Sequence, residues 1–521
     1  MKKWTFLLAL ATIPMFILLA QSTEAIAQPA GEVKLTAPMY GYERWIPRVE
    51  SMHASDVMNL LFDPLVGTTP DGKMSSKHGI AQKWEMSPDA LTWTFYLRKG
   101  VRFHDGTELT AKDVKFSLDQ FALPDSTSGY ADRIRKAIKT VEIKDSYTVV
   151  VRCKEPTLFL LGLISNISGL EGMILPKDYF EKGGAAQFQK RPLGSGPYRF
   201  HSAVSGSFIK LEATDRHWRE GVPRYKYMTF LIIPEESSRI AMLKTGEADI
   251  TRVSRERVKE VIDAGLQMIT KEEGTVVHLN ANMPWTSPVF SDIRFRKALN
   301  LAIDREAIIK HIFGGLAQPV AMYPGPNLFV CGADSTLKPY PYNPQEARRL
   351  LKEGGYEGHE FTMASYTRSG CPEYPKVVET VAGYWEKVGL KPKIFMTEYA
   401  TWREKEQAHK TQNTVSGQEG TSSPECGEQV GRLVRYFYSK SVWSVAKIPE
   451  LDAKFDRMLK SLDTSEVNKI MGDIYRYVYD NHLMIPVCVT DDMIATTKRI
   501  PKWDPGLRRN ERNINALIRQ P

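Results

Sequence analysis

Residues 91–118 read LTWTFYLRKGVRFHDGTELTAKDVKFSL, and this one stretch holds a strand, two turns and a helix start in succession. Trp93, Phe95 and Leu97 alternate with Thr94, Tyr96 and Arg98, which puts the apolar residues on one face, as a strand does. Gly100 and the dipeptide Asp105-Gly106 suit tight turns. Thr110 followed by Asp113 has the form of a helix cap, after which Val114, Leu118 and Phe121 recur at helical spacing.

The same local grammar extends outward. Runs 141–144 and 147–152 flank Asp145-Ser146 and read as a hairpin. Residues 228–233 read as a strand, 235–244 as a helix stopped by Gly246, and Ala248-Asp249-Ile250 as the next strand, the order of a parallel α/β layer. Asn343-Pro344 opens a helix with Glu346 at the capping position and Gly354-Gly355 at its end. Residues 375–388 form another helix, with Val377, Val381, Tyr384 and Val388 inward, before a strand at 393–397. Such units lie on both sides of residue 285, so the fold class is α/β with at least two lobes.

The chain opens with Lys2 and Lys3, an uncharged apolar run over 4–20, and the small-x-small triplet Ala25-Ile26-Ala27. That is the pattern of a secretory signal peptide, 1–27, cleaved after Ala27. A membrane anchor fits less well, because the run contains Pro14 and falls short of the ~20 apolar residues a spanning helix needs. No cysteine follows the triplet to carry a lipid, and no later run is long enough to span a bilayer. Of 521 residues 494 remain, enough for two or three domains. The formal charge of +9 is spread among acids without a basic stripe, which argues against nucleic acid as a partner. Cysteines 153, 331, 371, 426 and 488 contain no CxxC, so a zinc knuckle or redox motif is not expected. Cys153 and Cys488 sit in apolar runs, whereas one disulfide is expected among Cys331, Cys371 and Cys426.

Four stretches resemble, in order, the extracellular solute-binding proteins of the dipeptide and oligopeptide type (family 5) that serve ABC importers: 91–118, 194–200 (GSGPYRF), 292–309 (DIRFRKALNLAIDREAII) and 343–356 (NPQEARRLLKEGGY). Their glycines and prolines, including Gly196 and Pro197, read as scaffold. The resemblance implies the periplasmic binding protein-like fold, type II, cluster C: two lobes closing on a hinge, with an extra subdomain in the N-terminal lobe. It implies lobe I over 28–72, 191–284 and 481–521, the insertion over 73–190, and lobe II over 285–480. It further implies a periplasmic monomer without cofactor or catalytic residues, not itself inserted in the membrane, that delivers a small molecule or short peptide to a membrane permease with its ATPase subunits. A GxxxxGK[ST] phosphate loop is absent from this chain.

Two loops stand out as ligand contacts. Residues 39–45 combine Tyr40, Tyr42 and Trp45 with Glu43 and Arg44, groups able to stack on a ligand or grip a carboxylate. The second is 417–426 (GQEGTSSPEC), preceded by Glu398 and Trp402. Peptide-binding members resemble it with a Gly-Trp segment and an Ala-Asp-Tyr triplet whose Asp pairs with the peptide amino group. Here Gln418 stands in the Trp position, and Thr421, Ser422 and Ser423 replace the triplet, with Glu419 or Glu425 as shifted substitutes. Hydroxyl partners suit neutral or acidic polar ligands better than a free amine. A metal-chelate receptor, through His53, His104 or His278, an exported hydrolase, and a structural or chaperone-like protein holding unfolded chains in an open cleft are the rival readings. HExxH and GxSxG motifs are both absent.

Overall fold

The computed structural model describes all residues except 1–28, 70–71, 129, 168, 220, 282–287, 324–330, 333, 335, 367–370, 412, 422–425, 503–516 and 519–521. The expected signal segment, Ser422 and Ser423 thus lie outside the described residues. Strand β1 (Glu32–Ala37) comes first, then a ribbon of β2 (Gly67–Thr68) and β3 (Met74–Ser75). Next come β4 (Ala81–Met86), β5 (Thr92–Leu97), β6 (Ile138–Asp145) and β7 (Thr148–Cys153), an antiparallel sheet in the order β4-β5-β7-β6. The alternation in β5 is realised: Trp93, Phe95 and Leu97 are buried in a core shared with Leu118, Val149 and Val151. Asp113 accepts the Thr110 N–H at 2.9 Å, completing the cap of the helix Ala111–Ala122.

The remaining strands are β8 (Tyr198–Val204), β9 (Phe208–Ala213), β10 (Tyr227–Ile232), β11 (Ile250–Val253), β12 (Gln267–Ala281), β13 (Ala317–Pro319), β14 (Glu360–Ser365), β15 (Lys391–Met396), β16 (Thr414–Thr421) and β17 (Ile485–Thr496). With β1 they form one 11-stranded sheet, ordered β15-β14-β16-β12-β17-β11-β1-β10-β9-β8, with β13 against β17. Strand β1 is parallel to β10 and β11, and the helix Glu236–Thr245 between those two ends at Gly246 with φ +78°. In the other half, β14 is parallel to both β15 and β16.

Two long antiparallel strands, β12 and β17, run through both halves. Residues 267–271 pair with 496–492 beside β11, and 275–279 pair with 490–485 beside β16; the register breaks between Lys271 and Thr275. The cores change at the same place. Ile269 and Ile494 pack with Val33, Phe62 and Phe230, whereas Val276, Val277, Val487 and Val489 pack with Phe361, Trp385 and Tyr475. The second core therefore takes in chain on both sides of the expected 285–480. The GSGP turn sits by close backbone approach: a Cβ on Gly194 would lie 1.9 Å from the Leu61 carbonyl oxygen, and one on Gly196 2.2 Å from that of Leu60.

Candidate functional site

Parallel strands leave their C-terminal ends on one side, and ligand sites form beyond such ends. The register brings two sets together. In one half Val253, at the end of β11, pairs with Met493 of β17; in the other Thr421, at the end of β16, pairs with Thr275, which pairs with Thr490. Both sets of ends therefore approach the β12/β17 crossing from opposite sides. Side chains already span it: Arg255, just after β11, donates to Glu373 at 2.8 Å and to the Asp491 carbonyl at 2.9 Å. On the flank, Tyr130 and Arg133, at the start of the helix Ala131–Ala137, both donate to Glu428, the latter at 3.5 Å.

The loop after β1 is organised by Glu50. Its buried carboxylate accepts the backbone N–H of Tyr42 at 2.6 Å, Arg44 at 2.7 Å, Trp45 at 3.3 Å and Ser51 at 2.7 Å. Gly41, at φ +81°, lets that carboxylate come within 2.4 Å of where a Cβ would stand. The aromatics consequently divide. Tyr40 turns inward, 5.1 Å from Phe230 edge to face, and Trp45 packs on Phe200 at 6.1 Å. Both are buried among core rings, unlike the exposed Tyr42 of the same expected contact loop. Tyr42 is 59% exposed, with the Arg44 guanidinium 5.4 Å from its ring centre. Glu43 instead accepts the Gly206 N–H at 3.0 Å.

On the other side, Glu398 is exposed and precedes the helix Tyr399–Gln407, while Trp402 is buried, 5.8 Å from Phe395. Trp402 is thus a wedge under that helix. Gln418, Glu419 and Thr421 lie on β16, opposite His278, Val277 and Thr275. An aromatic group that the sequence reading did not single out closes the ends of β14 and β15: Tyr366 lies 4.9 Å from Tyr374 and 5.1 Å from Tyr399. The Tyr374 ring fits only because residue 417 is glycine; a Cβ there would be 1.8 Å from its hydroxyl. Gly417→Ala is accordingly expected to lower stability by about 1–3 kcal/mol through overpacking, read from the urea midpoint.

Cys331 and Cys426 form a disulfide with a Cα–Cα distance of 5.5 Å, while Cys371 is buried and takes no part in it. Cys426 opens the helix Cys426–Phe437 directly after the 417–425 run. The histidines weighed as metal ligands are apart. His53 is exposed and bonded to Ser51 at 2.9 Å, His104 bonds the Gly196 carbonyl at 2.9 Å, and His278 is enclosed between Tyr323 and Tyr436. Among the described residues no group of three or more His, Cys, Asp or Glu is arranged to hold a metal. Ser195 is not a triad nucleophile: its hydroxyl donates to Asp63, and His217 meets the same carboxylate from another side at 3.2 Å.

Burial pushes the pKa of His104 and His482 down to about 4 and that of His278 to about 3. The unfolded chain protonates these rings below about pH 6.5, the folded one only near 4 or lower, so their stabilisation is full above 6.5 and falls as pH drops through that window. Each ring contributes about 1.4 kcal/mol per pH unit. Urea unfolding is expected to show a loss of several kcal/mol between pH 7.5 and 5; a flat profile would contradict neutral burial of these rings.

The family described as "Bacterial extracellular solute-binding proteins, family 5 Middle" matches residues 77–426, more than half of the chain. The chain belongs to this family. As a family 5 solute-binding protein it is 30% identical over 340 residues to "Glutathione-binding protein GsiB" of Pectobacterium atrosepticum, covering 65% of this chain and 64% of that relative. The match thus spans under two thirds of the relative's length. The fold is also that of solved structures: NikA from Brucella suis in complex with Fe(III)-EDTA (TM-score 0.79, 21% identity, 93% of this chain and 99% of that one) and HbpA2 from Haemophilus parasuis (TM-score 0.77, 21% identity, 90% and 96%). No helix among the described residues of this family 5 protein is long and apolar enough to cross a membrane.

Proposed function

We propose that this chain is the exported substrate-binding receptor of an ABC importer, capturing a small polar solute between its lobes and passing it to a permease powered by separate ATPase subunits. The observation that carries this reading is the meeting of two sets of strand ends across the β12/β17 crossing. Two extended strands whose pairing breaks register between Lys271 and Thr275, and again between Val277 and His278, make a hinge of few residues at the first break, near 271–275 and 490–492. A solute touching both lobes binds the closed form better and shifts the population towards it.

Tyr42 and Arg44 from lobe I, and Glu398, Gln418, Glu419, Thr421, Ser422 and Ser423 from lobe II, are the contacts this reading assigns, with Tyr40, Trp45 and Trp402 beneath them. The curated relatives' name makes a short peptide-like solute the first class to examine. The protein works as a periplasmic monomer after cleavage behind Ala27, so N-terminal sequencing of the exported protein is expected to begin at Gln28. The functional test is to purify it from an exporting host without unfolding, release what is bound by denaturation, and identify it by mass spectrometry. A defined low-mass solute that rebinds to the stripped protein supports the receptor reading; a preparation that neither carries nor rebinds any solute contradicts it.

A further inference from the structure

On β12, His278 and Asn280 stand two residues apart and so share a face of the strand. Both are wholly buried, and apart from the interaction of the two side chains with each other, neither the two ring nitrogens of His278 nor the two amide atoms of Asn280 have a well-formed hydrogen bond to any other group. Native proteins seldom leave such groups unpaired, and a cluster of them marks a place that something polar completes. The His278 ring is stacked 5.1 Å from Tyr323 and meets the edge of Tyr436 at 5.7 Å. On the same aromatic pair rest two guanidinium groups of the helix Cys426–Phe437: Arg432 is 5.3 Å from the Tyr323 ring centre, and Arg435 is 5.7 Å from that of Tyr436.

The charges here do not balance. Arg432 donates to Glu428 at 3.2 Å, but that carboxylate also receives Arg133 and the Tyr130 hydroxyl. The Arg435 Nε is buried without a partner. Arg133 and Arg432 therefore share the Glu428 carboxylate, while Arg435 and the Arg403–Glu406 pair lie near the Tyr436 ring. Four guanidinium groups thus stand against two carboxylates, and 23% of the Arg432 side chain is still exposed. Burial holds His278 neutral, so it adds no charge and can donate one N–H while accepting at its other nitrogen. An ammonium group entering this place would meet cations, and Glu428 is already engaged; a carboxylate would find a forked donor and neutral hydrogen-bond partners.

We infer that the cleft selects solutes bearing a carboxylate, received by Arg432 and Arg435 with His278 and Asn280 as neutral partners at its deep end. This rests on the receptor reading above and adds the ligand's chemical class. The test incubates the stripped protein with an equimolar mixture of free-acid short peptides (γ-glutamyl tripeptides included), their C-terminal amides, dicarboxylic acids, hexoses and polyamines, and identifies the retained solutes by native mass spectrometry. Retention of acids is expected, with at least a tenfold preference over the matching amides. Arg432→Gln is expected to reduce that preference at least tenfold and Arg432→Lys to keep part of it. Retention of amides, hexoses or polyamines as strongly as acids overturns the inference and leaves the receptor reading standing. Retention of nothing overturns both. The acid-against-amide comparison on the unaltered protein decides the matter even where a variant does not fold.

Discussion

Asp63→Ala is expected to lower unfolding stability by about 3–5 kcal/mol, because it breaks a buried charge pair and leaves the partners behind. The Asp63 carboxylate is fully buried and accepts from Ser195 Oγ at 3.1 Å, His217 Nε2 at 3.2 Å and Trp218 Nε1 at 2.8 Å, with Arg219 at 3.5 Å. Burial alone would raise its pKa, yet His217, Arg219 and Trp218 together hold it below the usual value, so it stays ionised. The hub ties the chain just after the helix Ser55–Leu61 to the GSGP turn and to 217–219. Urea unfolding of the variant measures it; a loss under about 1 kcal/mol would mean that these donors find other partners in the native state.

Removing the disulfide, by Cys331→Ser or reduction, has an expected cost of similar size. The bond closes a loop of 95 residues, which in the chain-entropy view corresponds to about 4–5 kcal/mol through the unfolded state. Both cysteines pack in or against the core that holds Phe361 and Trp385, so that core is expected to unfold first under reductant while the core around Phe62 and Phe230 persists. Urea midpoints with and without reductant provide the comparison. Coincident midpoints would show that the reduced chain keeps the two segments together by packing alone.

Much of the fold was legible because its signals are local. The alternation in 92–97, the Thr110–Asp113 cap and the stop at Gly246 each need only a few neighbouring residues, and each forms as read. The orientation of the candidate side chains was not legible. Clustered aromatics in 39–45 gave no sign of which would turn inward, since that is decided by Glu50, farther along the chain, gathering the N–H groups of Tyr42, Arg44 and Trp45. Among the three loop cysteines the partner choice is a matter of distance in space, which spacing in sequence does not contain. One signal was present and passed over: 276–281 alternate Val, His and Asn against Val, Leu and Ala, so two polar side chains share one face of a central strand. On a strand with neighbours on both sides, that face had to meet something polar.

The central claim is that a solute is held by both lobes at once, and amide hydrogen exchange with and without the solute recovered from the native protein tests it most directly. Slowed exchange is expected together in 38–46 on lobe I and in 397–402 and 417–426 on lobe II, with a further change at the β12/β17 crossing near 271–275 and 490–492. Protection confined to one lobe, or none at the crossing, would contradict a ligand enclosed by hinge closure.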